Sequence, residues 1–142
     1  MNATAPEDRE LRALLRDAST VAVVGLSSKP GRPSYEVAAY LQDHGYRIVP
    51  VNPQETEVLG ESAYPSLLEI PEGLRVDVVD VFRRPEHAPE IARQAVRIGA
   101  GTLWLQEGIV SDEASRIASE AGLDVIMGVC IRHVRARLMG PD

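Results

Sequence analysis

Two hydrophobic rhythms alternate along this chain. Short, nearly continuous runs of Val, Ile and Leu appear at VAVVG (21–25), YRIVPVNP (46–53), VDVVDVF (76–82), TLWLQ (102–106) and LDVIM (123–127). Between them lie stretches whose apolar residues recur three and four apart: 7–17, with Leu11, Leu14 and Leu15, then SYEVAAYLQDHG (34–45), PEHAPEIARQAVRIGA (85–100), SDEASRIASEAG (111–122) and CIRHVRARL (130–138). The first rhythm predicts strands buried on both faces, the second amphipathic helices. SLLEI (66–70) is a candidate short helix. Ser34 and Ser111 stand where helix caps are expected, and Gly45 where a helix stops. In 85–100 the acids come early and the arginines late, as the helix dipole prefers. Alternation of this kind predicts an α/β fold: a doubly wound, mostly parallel five-stranded sheet with helices on both faces.

Length refines that picture. With 142 residues, a single domain spanning 1–142 is expected, with 1–18 as an N-terminal helix packed on it. Net charge is −6, which argues against nucleic acid or an anionic membrane as a partner. Nothing in the sequence is apolar for long enough to span a bilayer, and MNATAPEDRELRALLRDA is charged, without a signal core. A cytoplasmic location is therefore expected. One cysteine, Cys130, cannot form an internal disulfide or a cysteine zinc cluster, and no metal site is expected.

Ligands of such sheets bind beyond the carboxyl ends of the strands, near the switch in strand order. The first of these segments is Gly25-Leu26-Ser27-Ser28-Lys29-Pro30-Gly31-Arg32-Pro33-Ser34. A plain strand-to-helix connection needs only about 2–6 residues. This one is longer, and it holds Lys29, the only lysine of the chain. Gly25 permits a tight exit, Ser27 and Ser28 carry hydroxyls, and Lys29 and Arg32 carry charge. Pro30 and Pro33 stiffen the loop, and Gly31 allows backbone to approach a ligand. With the next helix starting near Ser34, this combination suits a phosphate or diphosphate. A rigid turn with incidental charges is the plainer alternative.

Two common phosphate motifs are absent. G-x-G-x-x-G lacks its second and third glycines here, and the second strand ends in Val51-Asn52-Pro53 rather than in an acid for a ribose. Both departures weigh against NAD. No properly spaced Gly-Lys-Ser/Thr follows Gly25, so the Walker pattern fails too.

The motifs VAVVGLSSKPGRPSYEVAAYL, GYRIVPVNP, VDVVDVFRRPE, GAGTLWLQEGIVSDEA and AGLDVIMGVC, in this order over about residues 20–130, resemble the small stand-alone CoA-binding proteins. These are similar in turn to the N-terminal CoA-binding domain of the succinyl-CoA synthetase α subunit. The resemblance implies a Rossmann-like fold that binds CoA or an acyl-CoA. By matching position, Gly25, Ser27, Ser28, Lys29, Pro30, Arg32 and Ser34 would cradle phosphates. Asn52 and Pro53 would lie beside the nucleotide end. Phe82 and Arg83 would border the cleft for the pantetheine arm, and Gln106, Glu107 and Gly108 match a similar segment after a strand. Lys29, Arg32, Arg83 and Arg84 could meet the diphosphate and 3′-phosphate. The chain departs from the family near its end. Where relatives read M-D-R-C with a later Glu-His pair, it has Met127-Gly128-Val129-Cys130, with Val134 and Arg135 at the Glu-His positions.

Chemistry finds little support. His44, His87 and His133 match no phospho-histidine motif and lack metal spacing. Cys130 reads as a small buried side chain at a helix start, with a redox role, such as a mixed disulfide with CoA, as the rival. Glu107 follows a strand but has no nucleophile or second acid beside it, so no catalytic residue is assigned. Trp104 reads as core, and Arg132, Arg135 and Arg137 as a solvated helix face. Asp77 and Asp80 lie on opposite faces of the third strand, where at least one needs a partner. The expected function is therefore binding of CoA or an acyl-CoA without catalysis. The alternatives are an NAD(P)-dependent oxidoreductase or sensor on the same fold, or an accessory subunit of an acyl-CoA synthetase. A homodimer or an acyl-CoA-metabolising partner protein remains open.

Overall fold

The computed structural model describes residues 6–140; residues 1–5, part of the N-terminal segment considered above, lie outside them. Helix α1 (Asp8–Asp17) leads into β1 (Thr20–Val24), α2 (Pro33–Asp43) and β2 (Arg47–Val51). A two-stranded pair, β3 (Glu57–Val58) and β4 (Glu61–Ser62), and a 3₁₀ turn at Leu67–Glu69 follow. Then come β5 (Val78–Val81), a 3₁₀ turn at Pro85–His87, α3 (Ala88–Arg97), β6 (Thr102–Leu105), α4 (Asp112–Glu120), β7 (Asp124–Met127) and α5 (Ile131–Met139).

The main sheet runs β2-β1-β5-β6-β7, and every pair in it is parallel. The chain moves outward from β1 to β2, then returns to pair β5 with β1 and moves the other way. α2 and α3 consequently cover opposite faces, as right-handed crossovers require. Side chains alternate accordingly. Val21 and Val23 of β1, Val78 of β5 and Trp104 of β6 pack under α1, α2 and α5. Ala22, Val24, Val79, Val81, Leu103 and Leu105 pack under α3 and α4. Trp104 is fully buried, with its indole N–H donating to the Val129 carbonyl at 2.9 Å.

Several local expectations change. Asp77 lies just before β5 and ties the lower rim of the sheet, accepting from the backbone N–H of Ser19 (2.9 Å) and Thr20 (3.0 Å) and from Arg75. Burial pushes its carboxyl up, but those donors outweigh burial and hold it below the usual range. Ser111 does cap α4 as expected, through a bond from the Ala114 N–H. Ser34 is not a cap: the N-cap of α2 is Arg32 and Pro33 takes the first helical position, where a missing N–H costs nothing. The arginines of α5 are not merely solvated. Arg135 donates to the hydroxyls of Tyr46 (3.1 Å) and Tyr40 (3.3 Å) and lies over both rings, and Arg137 pairs with Asp8 of α1. Arg135, at one of the positions where the resemblance expects a Glu-His pair, thus ties α5 to α2 and to the start of β2.

Candidate functional site

The exits of β2, β1 and β5 are hydrogen-bonded side by side: Gly25 N–H donates to the Val51 carbonyl and Phe82 N–H to the Val24 carbonyl, both at 2.8 Å. Gly25 has φ +87°, and a Cβ there would lie 2.8 Å from the Phe82 carbonyl oxygen and 3.0 Å from Arg83 Cδ. Only glycine lets the β1 exit turn this close to β5. Phe82 and Arg83 then diverge to the two faces of the sheet.

On the α2/α5 face lies a cleft of about 310 Å³, lined by Pro33, Val37, Phe82, Gln106, Glu107, Ile109 and Cys130. On the α3 face lies a hollow of about 170 Å³ whose walls include Val24, Val51, Pro53, Arg83, His87 and Gln94. The two flank the β1–β5 junction, the place where strand order reverses. A larger hollow of about 490 Å³, between Leu68, Ile70, Leu74 and Arg97, gathers none of the candidate residues.

The loop after β1 is held by its own polar groups. Ser27 N–H donates to the buried Ser34 Oγ at 3.0 Å, and Lys29 N–H donates to Ser27 Oγ at 3.1 Å. Ser28 N–H donates to Glu55 Oε2 at 3.0 Å, and Gly31 N–H to Glu36 Oε2 at 3.2 Å. Asn52 braces the loop from the side, its Nδ2 donating to the Leu26 carbonyl (3.0 Å) while its Oδ1 accepts from Gln54 N–H. Two carboxylates therefore sit on backbone donors of the kind a phosphate would use. Lys29, Pro30, Gly31 and Arg32 are exposed beside them, and no side chain caps the N-terminus of α2. Among the described residues, Lys29, Arg32, Arg83 and Arg84 join no ion pair.

The remaining candidates divide between the two sides. Phe82, Gln106 and Glu107 line the cleft, Arg83 and Pro53 the opposite hollow. Gly108, at φ +83°, makes the turn after β6, closed by Ile109 N–H donating to the Gln106 carbonyl at 2.9 Å. Cys130 is half-buried at the N-cap of α5, in the cleft wall, rather than sealed in the core. Four neighbours escaped the sequence reading. Glu55 meets the loop only through tertiary contact, Glu36 looked like an ordinary first-turn helix acid, and Val37 and Ile109 looked like ordinary helix and loop residues.

Asp80 also belongs here. It is wholly buried on the α2/α5 face, with Val23 and Trp104 beside it in register. Gln106 Nε2 donates to its Oδ1, and its Oδ2 has no partner. Burial pushes its carboxyl up to about 8, against the lowering effect of Gln106, which favours the neutral acid at pH 7. No cluster of metal-ligating side chains, and no helix long and apolar enough to cross a membrane, occurs among the described residues.

Known proteins resemble this chain in sequence and fold. The uncharacterized protein YneT of Bacillus subtilis is 42% identical over 131 residues, 92% of this chain and 96% of that one. A hypothetical protein from Pyrococcus horikoshii superposes with a TM-score of 0.91 at 40% identity, covering 99% of this chain and 100% of that one. The acetate–CoA ligase [ADP-forming] I subunit alpha of Pyrococcus furiosus is 31% identical over 130 residues, 82% of this chain but 28% of the subunit. A family model described as a CoA binding domain matches residues 19–135, and with the five-stranded Rossmann-like sheet in place, the chain belongs to that CoA-binding family.

Proposed function

We propose that this protein is a one-domain binding module for CoA or an acyl-CoA, without catalysis of its own. The observation that carries the reading is the juncture at Gly25. There an amide-rich loop with unpaired cations joins a mostly apolar cleft on one face of the sheet to an arginine-bearing hollow on the other. Lys29, Arg32 and the N-terminus of α2 would hold the diphosphate, joined by the Ser28 and Gly31 amides once it displaces the Glu55 and Glu36 carboxylates from them. The cleft between Phe82, Val37 and Ile109 would take the slender arm. Arg83 and Pro53 would border the nucleotide end. Asn52, just after β2, has its Nδ2 committed to the loop's Leu26 carbonyl and its Oδ1 to the Gln54 N–H of its own turn, where an NAD site would offer a free acid.

A thermal-shift panel with CoA, acetyl-CoA, dephospho-CoA, NAD and ATP tests this. A ligand at 100 times its Kd stabilises by about 2.7 kcal/mol, which corresponds to roughly 5–10 °C for a chain of this size. The expected order is CoA and acetyl-CoA first, dephospho-CoA lower, NAD near zero. A larger shift with NAD than with CoA would transfer the site to the oxidoreductase reading. The likeness to a ligase α subunit, of which this chain spans 28%, supports a second reading as an accessory subunit, tested by co-purification with an acyl-CoA synthetase partner.

A further inference from the structure

Asp80 occupies a position where a valine or leucine would fit the surroundings. Its neighbours across the sheet are Val23 and Trp104, and the helices above it bring Val37, Ala38, Leu41 and Ile131 to the same core. Burial raises its carboxyl and the Gln106 hydrogen bond lowers it. Of the other titratable or charged groups near this face, Glu107 is exposed, Cys130 lies in the cleft wall, and Tyr40 of α2 is bonded to Arg135 of α5. None of them is hydrogen-bonded to Asp80.

Asp80's one partner, Gln106, is itself 3% exposed and yet lines the cleft. Gln106 is therefore a polar group set into mostly apolar walls. A primary amide has a donor edge and an acceptor edge. With Nε2 donating to Asp80 Oδ1, the edge left for the cleft is the carbonyl Oε1. That is the arrangement an ionised Asp80 demands, because a carboxylate only accepts. A neutral Asp80 is itself a donor. Its O–H bonds best to Gln106 Oε1, and a half-turn of the amide then presents Nε2 and its hydrogens to the cleft.

We propose that Gln106 and Asp80 form a polar subsite for a carbonyl oxygen in the amide- or thioester-bearing arm of the ligand. Asp80 is its positioning residue: the buried carboxyl bonded to the Gln106 amide sets which edge of that amide faces the oxygen. This rests on the reading that the cleft receives the arm of CoA. A slender arm between Phe82, Val37 and Ile109 leaves its carbonyl groups in need of donors, and the Gln106 amide is the side-chain donor in that lining.

The test is titration calorimetry in a C130S background, so that the cleft holds no thiol. The probes are acetyl-CoA, which has no free thiol, and adenosine 3′,5′-bisphosphate, which lacks the arm. Each is measured at about pH 7 and about pH 9.5, either side of the Asp80 carboxyl. Acetyl-CoA should bind about tenfold more weakly at the higher pH, the loss expected for one reversed hydrogen bond, while the bisphosphate changes little. D80N, which cannot titrate, should remove that pH dependence. Q106L should bind acetyl-CoA weakly at both values. An equal pH loss in D80N, or an acetyl-CoA affinity in Q106L matching the parent, would overturn the subsite and leave the CoA reading standing. If neither probe binds the parent at either pH, both fall together.

Discussion

Replacing Gly25 with Ala separates two costs that most glycine substitutions mix. The first is conformational: φ of +87° is strained for any L-residue, by about 1–2 kcal/mol. The second is contact: the new Cβ meets the Phe82 carbonyl oxygen at 2.8 Å and Arg83 Cδ at 3.0 Å. Arg83 can swing aside, but the Phe82 carbonyl follows directly on an N–H that is bonded to Val24, which limits how far the backbone there can shift. Relieving the clash therefore disturbs the junction of β1 with β5, and overpacking of this kind costs about 1–3 kcal/mol. G31A is the matched control, with φ +92° and no atom within 4 Å of its added Cβ. It carries the conformational cost and the same unfolded-state entropy change, so that change cancels in the difference. Urea unfolding should place G31A about 1–2 kcal/mol below the parent and G25A about 2–5 below, with unchanged m-values. In melting temperature each kcal/mol corresponds to roughly 2–4 °C. If the two variants lose the same stability, the close approach at Gly25 contributes nothing and the geometry of the junction has been misjudged.

Three further outcomes are expected. E55Q keeps an acceptor for the Ser28 N–H but removes a negative charge from the loop, so CoA should bind about fivefold tighter by calorimetry; weaker binding would make Glu55 part of the ligand site. K29A and R32A should each weaken CoA binding about three- to tenfold and flatten its dependence on salt, since neither cation is engaged in an ion pair; unchanged affinity and salt dependence would place the phosphates elsewhere. The Asp80 carboxyl, at about 8 in the folded chain, lies above the ordinary 3.8, so between those values the unfolded chain has lost the proton that the folded chain keeps. The parent's stability should therefore fall relative to D80N by about 1.4 kcal/mol per pH unit over that window, and hold level above it. Parallel pH–stability curves for the two chains would refute a neutral Asp80.

Much of the fold was readable because strands buried on both faces leave runs such as VAVV and TLWL that no amphipathic helix produces. Strand order was not, because periodicity says what is buried and not which neighbour buries it. The β3–β4 pair was missed for a simpler reason: each strand is two residues long, and Val58 is the one buried residue of the four. In the candidate site, the loop stood out by composition alone. Its internal bonding did not, since Ser28 and Glu55 are 27 residues apart and nothing in either segment names the other. Ser34 misled because a serine before an apolar helix looks like a cap; Pro33 beside it moved the helix start and freed the hydroxyl for Ser27. Asp80 could be assigned to a face, but the apolar surroundings that keep it neutral come from β1, β6 and the helices above.

The glycine crest between cleft and hollow has one more implication. Each basin is small and open, so a compact molecule resting in either touches only one layer of the domain. A longer molecule draped over the crest engages both at once, and its second end then binds at the high effective concentration that tethering provides. Reach, more than the chemistry of either end, would then be the property by which this protein sorts its ligands.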